Sequence, residues 1–342
     1  MRELVYVGSG QVEWRDAPDP ALGEARAALV RPLVAATCDL DRAIVHGMTP
    51  FPPPFALGHE CLAEVVDVGD GVTSFRSGDR VAVPFQVSCG TCRFCRRLLT
   101  ANCENVPRES MYGTGKAGGG WGGVIADLVR VPFADHMLVK LPAAISLEAA
   151  ASAPDNVLDG WRAVGPQLAA NPGAAVLVLN GGPAGSIGLY AALIALALGA
   201  ERVDYYDRDE ARLAIARRAG AAAHPVESWP RRLGPYPITV DNSLEPAGLA
   251  CAIRSTEPGG VCTVTSVYLG GELPVPITEM YVKGITLQTG RAQSRTLLPQ
   301  VLELIASGRV DPGLVTTERA AWEDAPEAIL GYTTKLVLTR AT

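Results

Sequence analysis

The sequence predicts an α/β protein of two domains, one rich in β-structure and one doubly wound around a parallel sheet. Three observations carry this. The 342 residues exceed the size at which one hydrophobic core keeps growing, so two domains of roughly 150 residues are expected. The rhythm of the chain changes near residue 172 from short punctuated runs to strand, helix, strand. At that change an apolar run meets a glycine-rich turn and an apolar helix in "VLVLNGGPAGSIGLY".

Up to about residue 150 the runs are short, alternating and broken by Gly and Pro, as in "CLAEVVDVGDGV" and "DRVAVPFQV", which predicts mostly β-structure. From about 172 come "AAVLVLN", a helix from Ser186, "RVDYYD", the helix "DEARLAIARRAGA", then "PITVDNS" and "GGVCTVTSV". Apolar strands alternating with helical stretches predict a parallel sheet covered on both faces. After "GITLQTGR" the amphipathic helix "SRTLLPQVLELIASG" precedes a tail that ends in an apolar β-like run and is expected to return to the first domain. There is no internal repeat, low-complexity tract or long charge run.

Composition narrows the function. With 48% apolar and 19% charged residues the chain should fold, and its net charge of -6 offers no basic stripe for nucleic acid. A small-molecule substrate fits better. "MRELVYVGSGQVEW" lacks the layout of a secretory signal, and the longest apolar run, "IGLYAALIALALGA", is shorter than the ~20 residues of a membrane span. Four of the eight cysteines cluster and the others, Cys38, Cys61, Cys251 and Cys262, are scattered, so a reducing cytoplasm is expected.

Glycines at 182, 185 and 188 let backbone amides approach a pyrophosphate, and the helix that opens at Ser186 and Ile187 adds its partial positive charge. Nineteen residues beyond Gly188 stands Asp207, where a carboxylate accepts from the ribose hydroxyls of NAD and repels the extra phosphate of NADP. A strict GxGxxG in this register would need Gly at 183, where Pro stands; the alternative is a tight turn before a packed helix. Arg208, beside Asp207, leaves room for NADP, so NAD is a preference.

Cys89, Cys92, Cys95 and Cys103 follow one another at spacings of three, three and eight. Four thiolates close a tetrahedral shell around zinc and leave no position for substrate, so this motif reads as a structural clamp, with a pair of disulfides as the competing interpretation. A reactive metal needs about three mixed ligands and an open position. "TCDLD" supplies Cys38, and "ALGHECLAEVVDVG" supplies His59 with Glu60 beside it. Taken singly, such a Cys is usually a small core residue and such a His a satisfied structural one.

The order of Cys38, GHE at 58–60, the four-cysteine lobe and a dinucleotide region with Asp207 resembles the medium-chain zinc-dependent alcohol dehydrogenases over essentially the whole chain. The resemblance implies a GroES-like catalytic domain over 1–154 with a structural zinc lobe at about 86–107, a Rossmann NAD-binding domain over 155–287, and a C-terminal return over 288–342. It implies two zinc ions per chain. "PDNVLDGW" puts Asp155 at the third catalytic ligand position beside Cys38 and His59, with Glu60 as supporting or exchanging carboxylate. Asp41 matches the residue that orients the ligating His. Arg212, five beyond Asp207, matches the basic residue flanking the adenosine ribose, and Phe85 falls where the family lines its substrate pocket. Ala63 replaces the usual Gly after GHE. Leu40 stands where the family has a Ser or Thr that relays the alcohol proton; Asp159 or a chain of waters is then expected to take it, while His46 reads as a solvated loop residue.

The implied activity is oxidation of an alcohol with hydride transfer to NAD. Carboxylates at Asp155, Asp159 and Glu60 beside the apolar Leu40 and Phe85 suit a secondary alcohol, polyol or sugar-like substrate. Alternatives are an aldehyde or ketone reductase using the same residues, a zinc-free quinone or enoyl reductase, and a catalytically idle zinc and nucleotide binding protein. The resemblance also implies a homodimer or homotetramer, with the sheet edge near "VCTVTSVYLG" as the candidate contact.

Overall fold

The computed structural model describes residues 1–268 and 271–341; Leu269, Gly270 and Thr342, which include the end of "VCTVTSVYLG" and the last residue of the tail, lie outside them. The chain divides into one unit of Met1–Leu158 with Ala292–Thr342 and a second of Asp159–Arg291.

The first unit is built on the strand Ala28–Ala36, whose apolar residues alternate inward and whose last three residues are all buried. It pairs antiparallel with Glu60–Val68 on one side and with Leu336–Thr339 on the other. The sheet runs in the order Glu318–Ala321, Leu336–Thr339, Ala28–Ala36, Glu60–Val68, Arg80–Val83, Val139–Lys140, with Val129–Val131 also on the central strand. A smaller sheet joins Gln11–Asp16, Arg2–Gly8 and Phe55–Ala56. Register fixes what meets at one end of the large sheet. Ala36 lies opposite both Glu60 and Val337, so positions 37–38, 59–60 and 335–336 converge there. The tail thus belongs to this unit, preceded by the helix Ser294–Ala306, which buries Leu298, Val301, Leu302, Leu304 and Ile305.

The second unit is a six-stranded sheet in which every pairing is parallel: Ala222–Pro225, Val203–Asp207, Val176–Asn180, Tyr236–Asn242, Thr256–Val264, Thr286–Gln288. In chain order this is 3-2-1-4-5-6, the doubly wound arrangement. Val176–Asn180 is buried along its whole length, as a strand covered on both faces must be. Gly185, in the left-handed region at φ 66°, caps the helix Ser186–Ala197, which is buried from Ser186 through Ala195. Two further helices, not foreseen from the sequence, are Leu158–Ala170, which carries Pro166, and Pro246–Ser255. No helix among the described residues is long and apolar enough to cross a membrane.

Candidate functional site

Two clusters of metal-ligating side chains form in the first unit, and in each the donor atoms lie within 4.8 Å of one another. The first is Cys89, Cys92, Cys95 and Cys103, all buried and none in a disulfide, so the thiol set stands in place of the two disulfide bridges. Short 3-10 turns at Cys95–Arg97 and Thr100–Asn102 fold the segment back on itself. Gly90, at φ 75°, admits the reversal where a Cβ would strike the His136 ring at 2.6 Å. The Cys89 sulfur accepts from the amides of Thr91 and Cys92 and from the Asn105 side chain, each at 3.4 Å. Against the cost of burial, the Thr91 hydroxyl and these amides pull the Cys89 thiol down to about 6. A thiolate so stabilised suits a zinc ion.

The second cluster is Cys38, His59, Glu60 and Asp155, all buried. Cys38 caps the short helix Asp39–Val45; its sulfur accepts from the Leu40 amide at 3.4 Å, and its own amide donates to Asp41 Oδ2 at 2.7 Å. His59 follows Gly58, which sits at φ 88° where a Cβ would meet the Ile125 side chain at 2.5 Å, so glycine is required for the turn that aims the imidazole inward. Asp155 sits in a π-helical turn, Ala153–Val157, that leads into the helix at Leu158. Such a turn places Asp155 and its neighbour Asn156 both on the inner side, where π-insertions often serve a site.

Each ring nitrogen of His59 faces a carboxylate. Nδ1 faces Asp41 Oδ1 at 3.5 Å and Nε2 faces Asp155 Oδ2 at 3.3 Å. The first distance exceeds an ordinary hydrogen bond, and His59 Nδ1 and Asp41 Oδ1 have no other partner. Burial alone would lower the imidazole; Asp41 and Asp155 outweigh it and raise His59 to about 9. Burial also raises the Cys38 thiol, reinforced by the carboxylates of Asp155 and Glu60, whereas His59 holds Asp155 below the usual carboxylate range despite its burial. The thiol therefore keeps its proton and the imidazole gains one against the carboxylates, and a metal ion held there would displace a proton from each. A thiol, an imidazole and a carboxylate converging on one buried point are the donor set that suits zinc with a position left open.

Two residues that the sequence reading missed complete this arrangement. Lys335, fully buried, donates to both Glu60 oxygens at 3.1 and 3.2 Å, to the Thr37 carbonyl and to Asn156 Oδ1 at 2.6 Å. Asn156 Nδ2 in turn lies 3.1 Å from both the Cys38 sulfur and Asp155 Oδ2. Glu60 is therefore tied to a lysine, and even so burial carries its carboxyl up to about 8. The signal in the sequence was slight: one lysine standing just before the apolar run "LVLT".

Other expected site residues fall as follows. Phe85 is buried, its ring centroid 6.0 Å from that of His59. Leu40 is half-buried on the helix that Cys38 caps, and it carries no hydroxyl for a relay. His46 is exposed and ends that helix. Asp159, expected to take the alcohol proton if waters do not, accepts from Arg162 Nε at 2.6 Å within the second unit.

In the second unit, Gly182 is left-handed at φ 74°, and the turn that follows delivers the chain to Gly185, Ser186 and Ile187 at the helix start. A Cβ on Gly188 would stand 2.0 Å from Asn180 Oδ1, so the glycine lets the helix pack against the strand end. Asp207 ends the second strand with no exposed surface. Its carboxylate accepts from Arg212 Nε and Nη2 at 2.7 and 2.8 Å, the Tyr205 hydroxyl at 2.8 Å, Asn180 Nδ2 at 2.7 Å and the Asp209 amide at 3.0 Å. Burial would raise it; the Arg212 guanidinium keeps it below the usual carboxylate range. Arg208 remains outside this knot, exposed and forked onto Glu245.

The family profile described as the alcohol dehydrogenase GroES-like domain matches residues 24–143. A protein of Mycobacterium tuberculosis named as a probable zinc-binding alcohol dehydrogenase is 32% identical over 98% of this chain and 85% of its own length. A glutathione-independent formaldehyde dehydrogenase of Pseudomonas aeruginosa is 35% identical over 64% of this chain and 57% of its own. The solved structure of an alcohol dehydrogenase from Thermus sp. ATN1 superimposes with a TM-score of 0.90, covering 100% of both chains at 30% identity.

Proposed function

Because the chain belongs to the medium-chain zinc-dependent alcohol dehydrogenase family, we propose that it is an NAD-preferring dehydrogenase that oxidises a secondary alcohol or polyol to a carbonyl compound, with Cys38, His59 and Asp155 holding the reactive metal. The observation that carries this reading is the buried convergence of a thiol, an imidazole and a carboxylate, backed by residues that fix each of them. Zinc bound by such a set supplies a Lewis acid that makes a substrate hydroxyl easier to deprotonate.

The chain's own residues do the rest. Asp41 keeps the His59 Nδ1 proton on its side of the ring, which leaves Nε2 free to ligate. Asn156 donates to the Cys38 sulfur and so restrains its charge, and Lys335 holds Glu60 back from the other donors. Phe85 closes an apolar side against bulk water. Of the carboxylates that suggested a polyol, Glu60 is committed to Lys335 and Asp159 to Arg162, which leaves Asp155 to support that choice. The four-cysteine lobe is assigned a structural zinc.

A panel of primary alcohols, secondary alcohols and polyols with NAD and NADP, run beside metal analysis, tests this. Reduction of NAD by secondary alcohols or polyols with two zinc ions per chain is expected. A strong preference for primary alkyl alcohols removes the substrate assignment, and a single zinc with no turnover in either direction removes the enzyme.

A further inference from the structure

We propose that Ser294 is a positioning residue for the metal ligand Asp155: its hydroxyl holds the π-helical turn that aims the carboxylate, and the helix it opens is anchored so that the hold does not give. This rests on the reading of Cys38, His59 and Asp155 as the ligands of the reactive metal.

Asp155 is the one member of that trio not set by the sheet. Cys38 and His59 flank the paired ends of Ala28–Ala36 and Glu60–Val68, whose register fixes them. Asp155 hangs instead from the five-residue turn Ala153–Val157. Within it the Val157 amide reaches back to the Ser152 carbonyl at 3.1 Å and the Leu158 amide to the Asp155 carbonyl. A lone π-turn is a rare conformation, so its shape needs support from outside the turn.

That support comes from far along the chain. The Ser294 hydroxyl donates at 2.7 Å to the carbonyl of Pro154, which belongs to the planar peptide group joining Pro154 to Asp155. Tilting that group would swing the Asp155 side chain. Both partners are buried, Ser294 with no exposed surface, so neither can turn to water without moving the turn. A serine at a helix start commonly spends its hydroxyl on the amides of its own helix. The helix Ser294–Ala306 has no side-chain cap and gives this hydroxyl away.

The helix start is fixed in turn. The Ser294 amide donates to Gln86 Oε1 at 3.2 Å, next in the chain to Phe85. The Thr296 hydroxyl donates to the Leu98 carbonyl at 2.9 Å, and Gln293 Oε1 accepts from the Ala101 amide at 2.8 Å. Leu98 and Ala101 lie between Cys95 and Cys103, so the four-cysteine lobe is the abutment against which Ser294 holds the turn. A metal ligand has to stay within about 0.5 Å of its working position, and loss of the groups behind a ligand shows first in metal affinity.

The test uses the full chain, with zinc kept in the lobe and Co2+ titrated into the mixed site, followed by the ligand-field absorption of the cobalt. Ser294→Ala should bind cobalt about tenfold more weakly than wild type, with its bands shifted. Ser294→Thr, which keeps the hydroxyl, should stay close to wild type in both. In an Asp155→Ala background, where Cys38 and His59 remain, adding Ser294→Ala should change cobalt affinity by less than about twofold. A hydroxyl that only stabilised the fold would lower the melting temperature in both backgrounds and leave the bands in place. Ser294→Ala with wild-type affinity and bands, equal losses in the Ala and Thr variants, or a loss that persists without Asp155 overturns the proposal. A wild type that takes up no cobalt beyond the lobe overturns the reading of the mixed site itself, and this proposal with it.

Discussion

Four thiols meet in the lobe within fifteen consecutive positions, whereas the mixed cluster draws its donors from positions 38, 59, 60 and 155. The lobe makes its own geometry, through two tight turns and backbone amides that point at sulfur. The mixed cluster borrows its geometry from the large sheet, whose register brings three chain segments to one end, and from the π-helical turn that adds a fourth. The difference teaches why one can be a clamp and the other a reactive centre. Four identical donors can saturate a tetrahedral ion, while a dissimilar set with Asp41, Asn156 and Lys335 behind it is suited to leave an ion unsaturated without letting its ligands collapse.

Substitutions should separate the two regions. The largest effect is expected from Cys103→Ser in the lobe, which should cost much of the roughly 10 kcal/mol that a structural zinc can contribute, seen as loss of one zinc and of soluble, cooperatively melting protein. Cys38→Ser should leave melting nearly intact and remove one zinc, with turnover down on the order of a thousandfold, or about 4 kcal/mol of barrier. Lys335→Met strands Glu60 as a buried unpaired carboxyl and should destabilise the first unit by about 3 kcal/mol in denaturant melts, with much of that recovered by adding Glu60→Gln. Asn156→Leu removes the donor to the Cys38 sulfur and should reduce turnover by about tenfold with zinc content preserved, visible also as a shifted thiolate-to-metal charge-transfer band after cobalt substitution. Were Cys38→Ser to unfold the chain and Cys103→Ser merely to slow it, the assignment of the two regions would be reversed.

The lobe and the doubly wound sheet were legible in the sequence because both are written locally. Cysteine spacing and continuously apolar strands such as "AVLVLN" need no knowledge of what lies across the fold. Cys38, His59 and Asp155 acquired meaning only together, by resemblance, since each alone looks like an ordinary core residue. Lys335 and Asn156 escaped because their significance is made by strand register and by one irregular helical turn, neither of which leaves a periodic trace. For the same reason the other partners of Asp207 were not foreseen: Arg212 sits in the expected place, but Asn180 and Tyr205 converge on the carboxylate from two strand ends. The helix Pro246–Ser255 was hidden by its small residues, "PAGLACAIRS".

Stepwise chelation of the zinc-loaded protein, with bound metal, turnover and melting temperature followed in the same samples, tests the central claim most directly. The ion held by Cys38, His59 and Asp155 should leave first, taking all turnover with it while the melting temperature stays nearly constant; the lobe ion should leave later and bring unfolding. Turnover that survives removal of the first ion, or that falls only with the second, would contradict the account.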